Sequence, residues 1–229
     1  MKCVILQPSY IPWRGYFHQI FLADVFVFYD DVQYDKDGWR NRNRIKTPNG
    51  TQWLTIPVVT TGVVENKTAI KDIKIDQTKN WSRKHWASIC QAYSKAPFFK
   101  QYADELQRYF SDNYDHLADL TIDLTINLAK LLGNFETKFI RSSSIEGVSG
   151  VKTERLLNIL TKIGANHYIS GPSAKDYLDE RLLRNNGIEL EYVKYEYREY
   201  PQLYPPYDGQ VSILDLLFMA GNGAKDFIL

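Results

Sequence analysis

Three stretches of this chain carry residue types and spacings suited to chemistry. The first is the turn in "QPSYIPWRGYFHQI" (residues 7–20), which breaks out of the apolar run "CVIL" with two prolines and a Trp-Arg-Gly step. If the run is a strand and the segment after it a helix, the turn presents free backbone N–H groups where a phosphate or carboxylate binds. Gly15 would admit a ligand close to the backbone, and Arg14 offers a planar fork of donors. Gln7 and Tyr10 would fix polar substrate atoms, and Trp13 would wall the site. The plainer reading is that the prolines and Trp13 plug the end of a sheet. Neither G-x-x-x-x-G-K-[ST] nor G-x-G-x-x-G is present.

The second stretch is "VFVFYDDVQYDKDGWRNRNRIK". Asp30 and Asp31 are adjacent, so in extended chain they point to opposite sides, and only one can face a given crevice to orient or deprotonate an amine. Gln33 follows them. Arg40, Arg42 and Arg44 alternate with asparagines, which on a strand puts three guanidinium groups on one face beside Trp39. They would repel one another unless Asp30, Asp31, Asp35 and Asp37, or a bound anion, neutralised them. The functional reading is a clamp on a phosphorylated or acidic substrate.

The third stretch is "YISGPSAKDYL". Ser170, Gly171 and Ser173 precede an expected helix whose first turns carry Lys175 and Tyr177, a second helix start suited to an anion, with mobile positive charge from the lysine. The alternative makes Ser173 an N-cap and Lys175 a solvated surface residue. His18, His85, His116 and His167 have no metal-ligand spacing, and no metal site is expected.

These residues need elements to position them. Period and punctuation predict strands at 3–7, 25–31, 70–76, 138–143, 167–171 and 188–197, and helices at 14–24, 80–95, 96–112, 116–133, 151–164, 173–187 and 212–221. Asn49-Gly50, between two alternating runs, predicts a hairpin within 39–59. Strands alternating with helices imply an α/β, Rossmann-like three-layer sandwich with a mainly parallel sheet, a β-hairpin insertion and additional helices. One domain is expected over 1–229, with an insertion at 39–133. In such a sheet the ligand crevice lies beyond the carboxyl ends of the strands, where strand order reverses. The turns at 7–15 and 170–175 should therefore share one edge.

Composition narrows the function classes. The chain has 229 residues, 44% hydrophobic, enough for a sizeable core. A net charge of +1 lacks the positive excess of a nucleic-acid binder, so no nucleic-acid partner is expected. No apolar run approaches the ~18 residues of a membrane span, and neither a targeting segment nor a disulfide framework is evident from two cysteines, so a cytoplasmic protein without membrane insertion is expected. Aromatic residues make up 14% of the chain, and many stand beside polar ones, which suits a ligand cleft.

Taken in order, "QPSYIPWRGYF", "ADVFVFYDDVQYDKDGWRNRNRIK", "WLTIPV", "YISGPSAKDYL" and "SILDLLF" resemble the WbqC-like family over essentially the whole chain. The resemblance implies a role in bacterial surface-polysaccharide, or O-antigen and lipopolysaccharide, biosynthesis, where modified sugars are made. "SYIPWRGYF" is also similar to the F-x-P-x-H-x-G-H turn of nucleotidyltransferases and pantothenate-synthetase-like enzymes, with Trp13 and Tyr16 near the places of their histidines and one residue fewer in the spacing. The leading expectation is a transferase that puts an acyl or aminoacyl group on, or otherwise modifies, an amino-sugar nucleotide. Asp30, Asp31 and Lys175 are its candidate catalytic groups. The alternatives are an activating enzyme of the nucleotidyltransferase type using ATP and Mg, and a non-catalytic protein that binds a biosynthetic partner.

Overall fold

A computed structural model describes residues 1–36, 38–111 and 114–229. In chain order its elements are β1 (Lys2–Leu6), α1 (Arg14–Leu22), β2 (Val25–Phe28), β3 (Arg42–Thr47), β4 (Gly50–Thr55), α2 (Trp81–Tyr93), α3 (Phe99–Gln107), α4 (Leu117–Leu132), β5 (Lys138–Arg141), α5 (Lys152–Lys162), β6 (His167–Ser170), α6 (Glu180–Asn185), β7 (Glu189–Tyr192) and α7 (Ile213–Ala220). Five strands form one sheet in the order β5-β2-β1-β6-β7, every neighbouring pair parallel. β3 and β4 form a separate antiparallel hairpin. With seven α-helices among the described residues, this is the expected α/β architecture.

Contacts divide the chain into two units. The first is Met1–Gln7, His18–Asp31 and Phe135–Glu196, and the second is Pro8–Phe17, Val32–Asn134 and Tyr197–Leu229. The first unit holds the parallel sheet. All four residues of β2 are buried, as a central strand covered on both faces requires. Its alternation sorts the core: Val25 and Val27 join Cys3 and Ile5 of β1 against Leu156, Ile159 and Leu160 of α5 and Leu183 of α6. Phe26 and Phe28 point the other way and meet Phe139 of β5 at 6.0 and 5.7 Å between ring centroids. Burial pushes the Cys3 thiol up to about 12, which keeps it an inert apolar filler.

The second unit holds the hairpin, α2–α4 and α7. The hairpin joins Thr47 to Gly50 through Pro48 and Asn49, with Gly50 at φ +99° as the first residue of β4. The Asn-Gly signal therefore marks the right place, but proline and asparagine make the turn, and the glycine takes the positive φ that follows it. Gly133, at φ +143°, stops α4 where expected.

Three predicted elements differ. Residues 70–76 are not a strand. Ile70–Asp72 closes a 3₁₀ turn, and Ile75 and Lys74 make only single bridges to Val58 and His116. The buried isoleucines at 70 and 73 follow the three-residue period of that turn. The run at 173–187 is also not one helix. Pro172–Asp176 is a 3₁₀ turn, and α6 begins only after Asp179, whose carboxylate accepts from the Leu182 N–H at 2.9 Å. Ser173 is thus inside a tight turn, not the cap of a long helix. Of 96–112, α3 occupies Phe99–Gln107 and Arg108–Phe110 is a 3₁₀ turn, while residue 112 lies outside the described residues.

Candidate functional site

Strand order defines the candidate region. β2 and β5 are laid to one side of β1, and β6 and β7 to the other, so the order reverses between β1 and β6. Because these two strands are parallel neighbours, Gln7 and Ser170 leave the sheet from the same carboxyl edge, the position where doubly wound sheets take ligands. Asp30 and Asp31 leave β2 at that edge, and Arg141 and Ser142 leave β5.

The two carboxylates diverge as extended chain demands, and each finds its own arginine. Asp30 is fully buried. It accepts from Arg141 Nε at 2.6 Å and Ser143 Oγ at 2.9 Å on one oxygen, and from the Ser143 N–H at 3.0 Å on the other. Asp31 accepts from Arg155 Nη2 at 2.6 Å and from Ser142 Oγ at 2.6 Å. Ser142 has one hydroxyl proton, so the shorter contact to Asp31 uses it, and its 3.2 Å approach to Asp30 is not a second donation. The same oxygen accepts the Asp30 N–H at 3.1 Å. Asp30 is thereby a fastener between β2 and β5. Asp31 keeps a partly exposed carboxylate steered by α5.

On the far side of the switch point, Ser170 is buried and its carbonyl accepts from the Val193 N–H at 2.9 Å. Gly171 lies against the Tyr195 hydroxyl, which a Cβ there would meet at 3.3 Å. Gln19 donates to that hydroxyl at 2.8 Å, and burial pushes Tyr195 up to about 12, so it stays a neutral hydroxyl. Lys175 and Tyr177 are exposed, and the lysine ammonium sits 5.0 Å from the Tyr192 ring centre. Ser173 is exposed as well.

The remaining predicted residues fall in the second unit, where most are bound into its own packing. Tyr10 is fully buried with its hydroxyl 2.9 Å from His85 Nδ1, and burial lowers that histidine to about 4. Ile11 adopts φ +36°, a strained value for a β-branched residue, and Asn43 holds it by donating to the carbonyls of Tyr10 and Ile11 at 3.1 and 2.9 Å. The room Gly15 was expected to leave for a ligand is taken by the Trp13 indole, since a Cβ would lie 2.2 Å from it. Arg14 is buried, donates to the carbonyls of Arg198 and Phe227 at 2.9 and 3.4 Å, and packs 4.4 Å from the Tyr197 ring centre. The three-arginine face is reduced to two, because β3 starts at Arg42. Arg40 lies before it and donates to Ser9 Oγ at 3.1 Å and the Pro8 carbonyl at 3.4 Å. Arg42 and Arg44 pack on the Trp53 ring at 5.0 and 5.7 Å. Gln33 is exposed and bridges to Ala69. Asp37 lies outside the described residues.

Sequence reasoning missed Arg141, Arg155 and Trp53 as partners, and it missed a buried polar group around Asp215. That carboxylate accepts from Gln202 Nε2 at 2.9 Å and is pushed up to about 6 by burial, against the pull of Tyr200, Tyr93, Gln202 and Lys46. The one visible signal was an aspartate inside the apolar run "SILDLLF". Among the described residues no three His, Cys, Asp or Glu side chains gather as metal ligands would. No helix among them is long and apolar enough to cross a membrane.

The fold and its strand ends define a doubly wound α/β protein with a cluster of polar residues at the carboxyl edge of its sheet. The chain belongs to the WbqC-like protein family, whose family model matches residues 7–227. It is 42% identical over 229 residues to a protein of Mycobacterium tuberculosis (strain ATCC 25618 / H37Rv) described as uncharacterized, covering 99% of this chain and 97% of the relative. No solved structure matches it significantly.

Proposed function

We propose that the protein is a cytoplasmic transferase of bacterial surface-polysaccharide biosynthesis that puts an acyl or aminoacyl group on, or otherwise modifies, an amino-sugar nucleotide. The observation that carries this reading is the reversal of strand order at β1 and β6, the place where sheets of this type take phosphate-bearing ligands. Membership of the WbqC-like family supports the pathway, through the link to O-antigen sugars that the resemblance implies.

In this reading Gln7, Ser170 and Gly171 meet the substrate at the switch point. Lys175, exposed on the turn after β6, neutralises phosphate charge. Asp31, aimed by Arg155 and Ser142, accepts a hydrogen bond from the sugar amine and takes its proton as nitrogen attacks the carbonyl of an activated acyl donor, whose leaving group departs with the electron pair of the bond it breaks to that carbon. Asp30 holds the edge on which Asp31 stands.

The test compares sugar-nucleotide pools of wild-type and deletion strains by mass spectrometry. The expected result is accumulation of an amino-sugar nucleotide lacking one group, which identifies substrate and group together. Unchanged pools with unchanged surface polysaccharide would overturn the reading.

A further inference from the structure

The second unit carries an exposed aromatic and basic face that the sheet-edge reading does not use. Trp39 and Trp53 are 43% and 47% exposed, and their rings lie 5.2 Å apart with a 34° tilt. Arg44 stands directly across the hairpin from Trp53, its guanidinium carbon 5.7 Å from that ring and 5.9 Å from Trp39. Arg42 lies 5.0 Å from the Trp53 ring. Arg44 also donates to the Gln210 carbonyl at 3.1 Å, but among the described residues no carboxylate pairs with it. Of the four basic residues in Gly38–Val64, Arg40 donates to the Pro8 carbonyl and Lys46 to the Pro206 carbonyl, so Arg42 and Arg44 are the cations beside the indoles.

We propose that this face of the hairpin binds a nucleoside di- or triphosphate, with its base on the Trp39–Trp53 indoles and its phosphates on Arg42 and Arg44. Every base offers a π-face to an indole, and guanidinium groups already held on aromatic rings meet phosphate oxygens bidentately. A neutral sugar fits less well, because arginine only donates, while sugar hydroxyls both donate and accept. A single strand of nucleic acid wants stacking groups and positive charge along ~4 or more nucleotides, whereas this face has one indole pair on a chain of net charge +1. The inference does not depend on the transfer reaction proposed above, and its test measures binding alone.

The full chain is titrated with UDP and with ATP by calorimetry, alongside tryptophan fluorescence. Saturable binding with quenching is expected, at least about tenfold tighter than for uridine, adenosine or inorganic pyrophosphate. Trp53→Ala and Arg44→Ala should each weaken it about tenfold or more, and Trp53→Phe, which keeps a flat ring, should retain most of it. If Trp53→Ala does not fold, Arg44→Ala decides. Absence of nucleotide binding, unchanged binding in Arg44→Ala, or pyrophosphate binding as tightly as UDP would each overturn the proposal. So would tighter, steeply salt-dependent binding of a single-stranded oligonucleotide, which would make the face a nucleic-acid surface.

Discussion

Asp30 and Arg141 meet at 2.6 Å across two neighbouring parallel strands, one residue leaving the carboxyl end of β2 and the other ending β5. The carboxylate is fully buried and the guanidinium is a third exposed, so the pair ties the edge of the sheet without burying both charges. Removing one partner of such a pair costs about 3 kcal/mol, because the other loses its counter-charge. Asp30→Ala should lower unfolding stability by about that much in urea titration. Arg141→Ala should cost a similar amount, and the double variant much less than the sum.

Arg14 was expected to reach out to a ligand, and instead it is folded inward on two carbonyls and a tyrosine ring. Arg14→Ala should therefore destabilise the chain by about 2 kcal/mol, lowering its melting temperature measurably. An unchanged melting temperature would return Arg14 to the list of ligand contacts.

Gly15 faces the Trp13 indole, so Gly15→Ala forces a collision with a side chain inside the second unit. A cost of about 1–3 kcal/mol is expected. In a Trp13→Ala background the same change should be nearly free. Equal costs in both backgrounds would show that the clash is not the cause.

Asp215 gives a pH signature. Its pKa is raised by burial from 3.8 to about 6, so the protonated form fits the fold better than the ionised one. The stability this contributes is full below about pH 4 and is lost as pH rises through about 6. His85 works in the opposite direction, because its folded pKa of about 4 lies below the ordinary 6.5 and its contribution is lost as pH falls through that range. Measuring Asp215→Asn against wild type cancels the histidine. The variant keeps an acceptor for Gln202 and cannot ionise, so its stability relative to wild type should rise by about 3 kcal/mol between pH 4 and 7. A flat difference in denaturant titrations would refute the assignment.

Lys175 is exposed, so Lys175→Ala should leave unfolding stability within about 0.5 kcal/mol. If it neutralises substrate phosphate as proposed, the transfer rate on the substrate identified from the accumulated pool should fall about tenfold or more. Full activity would remove it from the site.

The sequence by itself determined the alternation of strands and helices, the buried character of β2, the hairpin and the end of α4 at Gly133. Each depends on local period, on a turn residue or on continuous apolarity, and these act within a few residues. It also determined that Asp30 and Asp31 must point apart. It misjudged 70–76 and 173–187, where short turns with buried residues imitate a strand and a helix. Only the tertiary structure decided the partners: Arg141 and Arg155 lie 111 and 124 residues from the aspartates they hold. It also turned Arg14 inward, because the ring and carbonyls that enclose it come from Tyr197, Arg198 and Phe227. A side chain's neighbours depend on which distant segments pack beside it, and hydrophobic period, which says only that a face is buried, carries no record of what buries it.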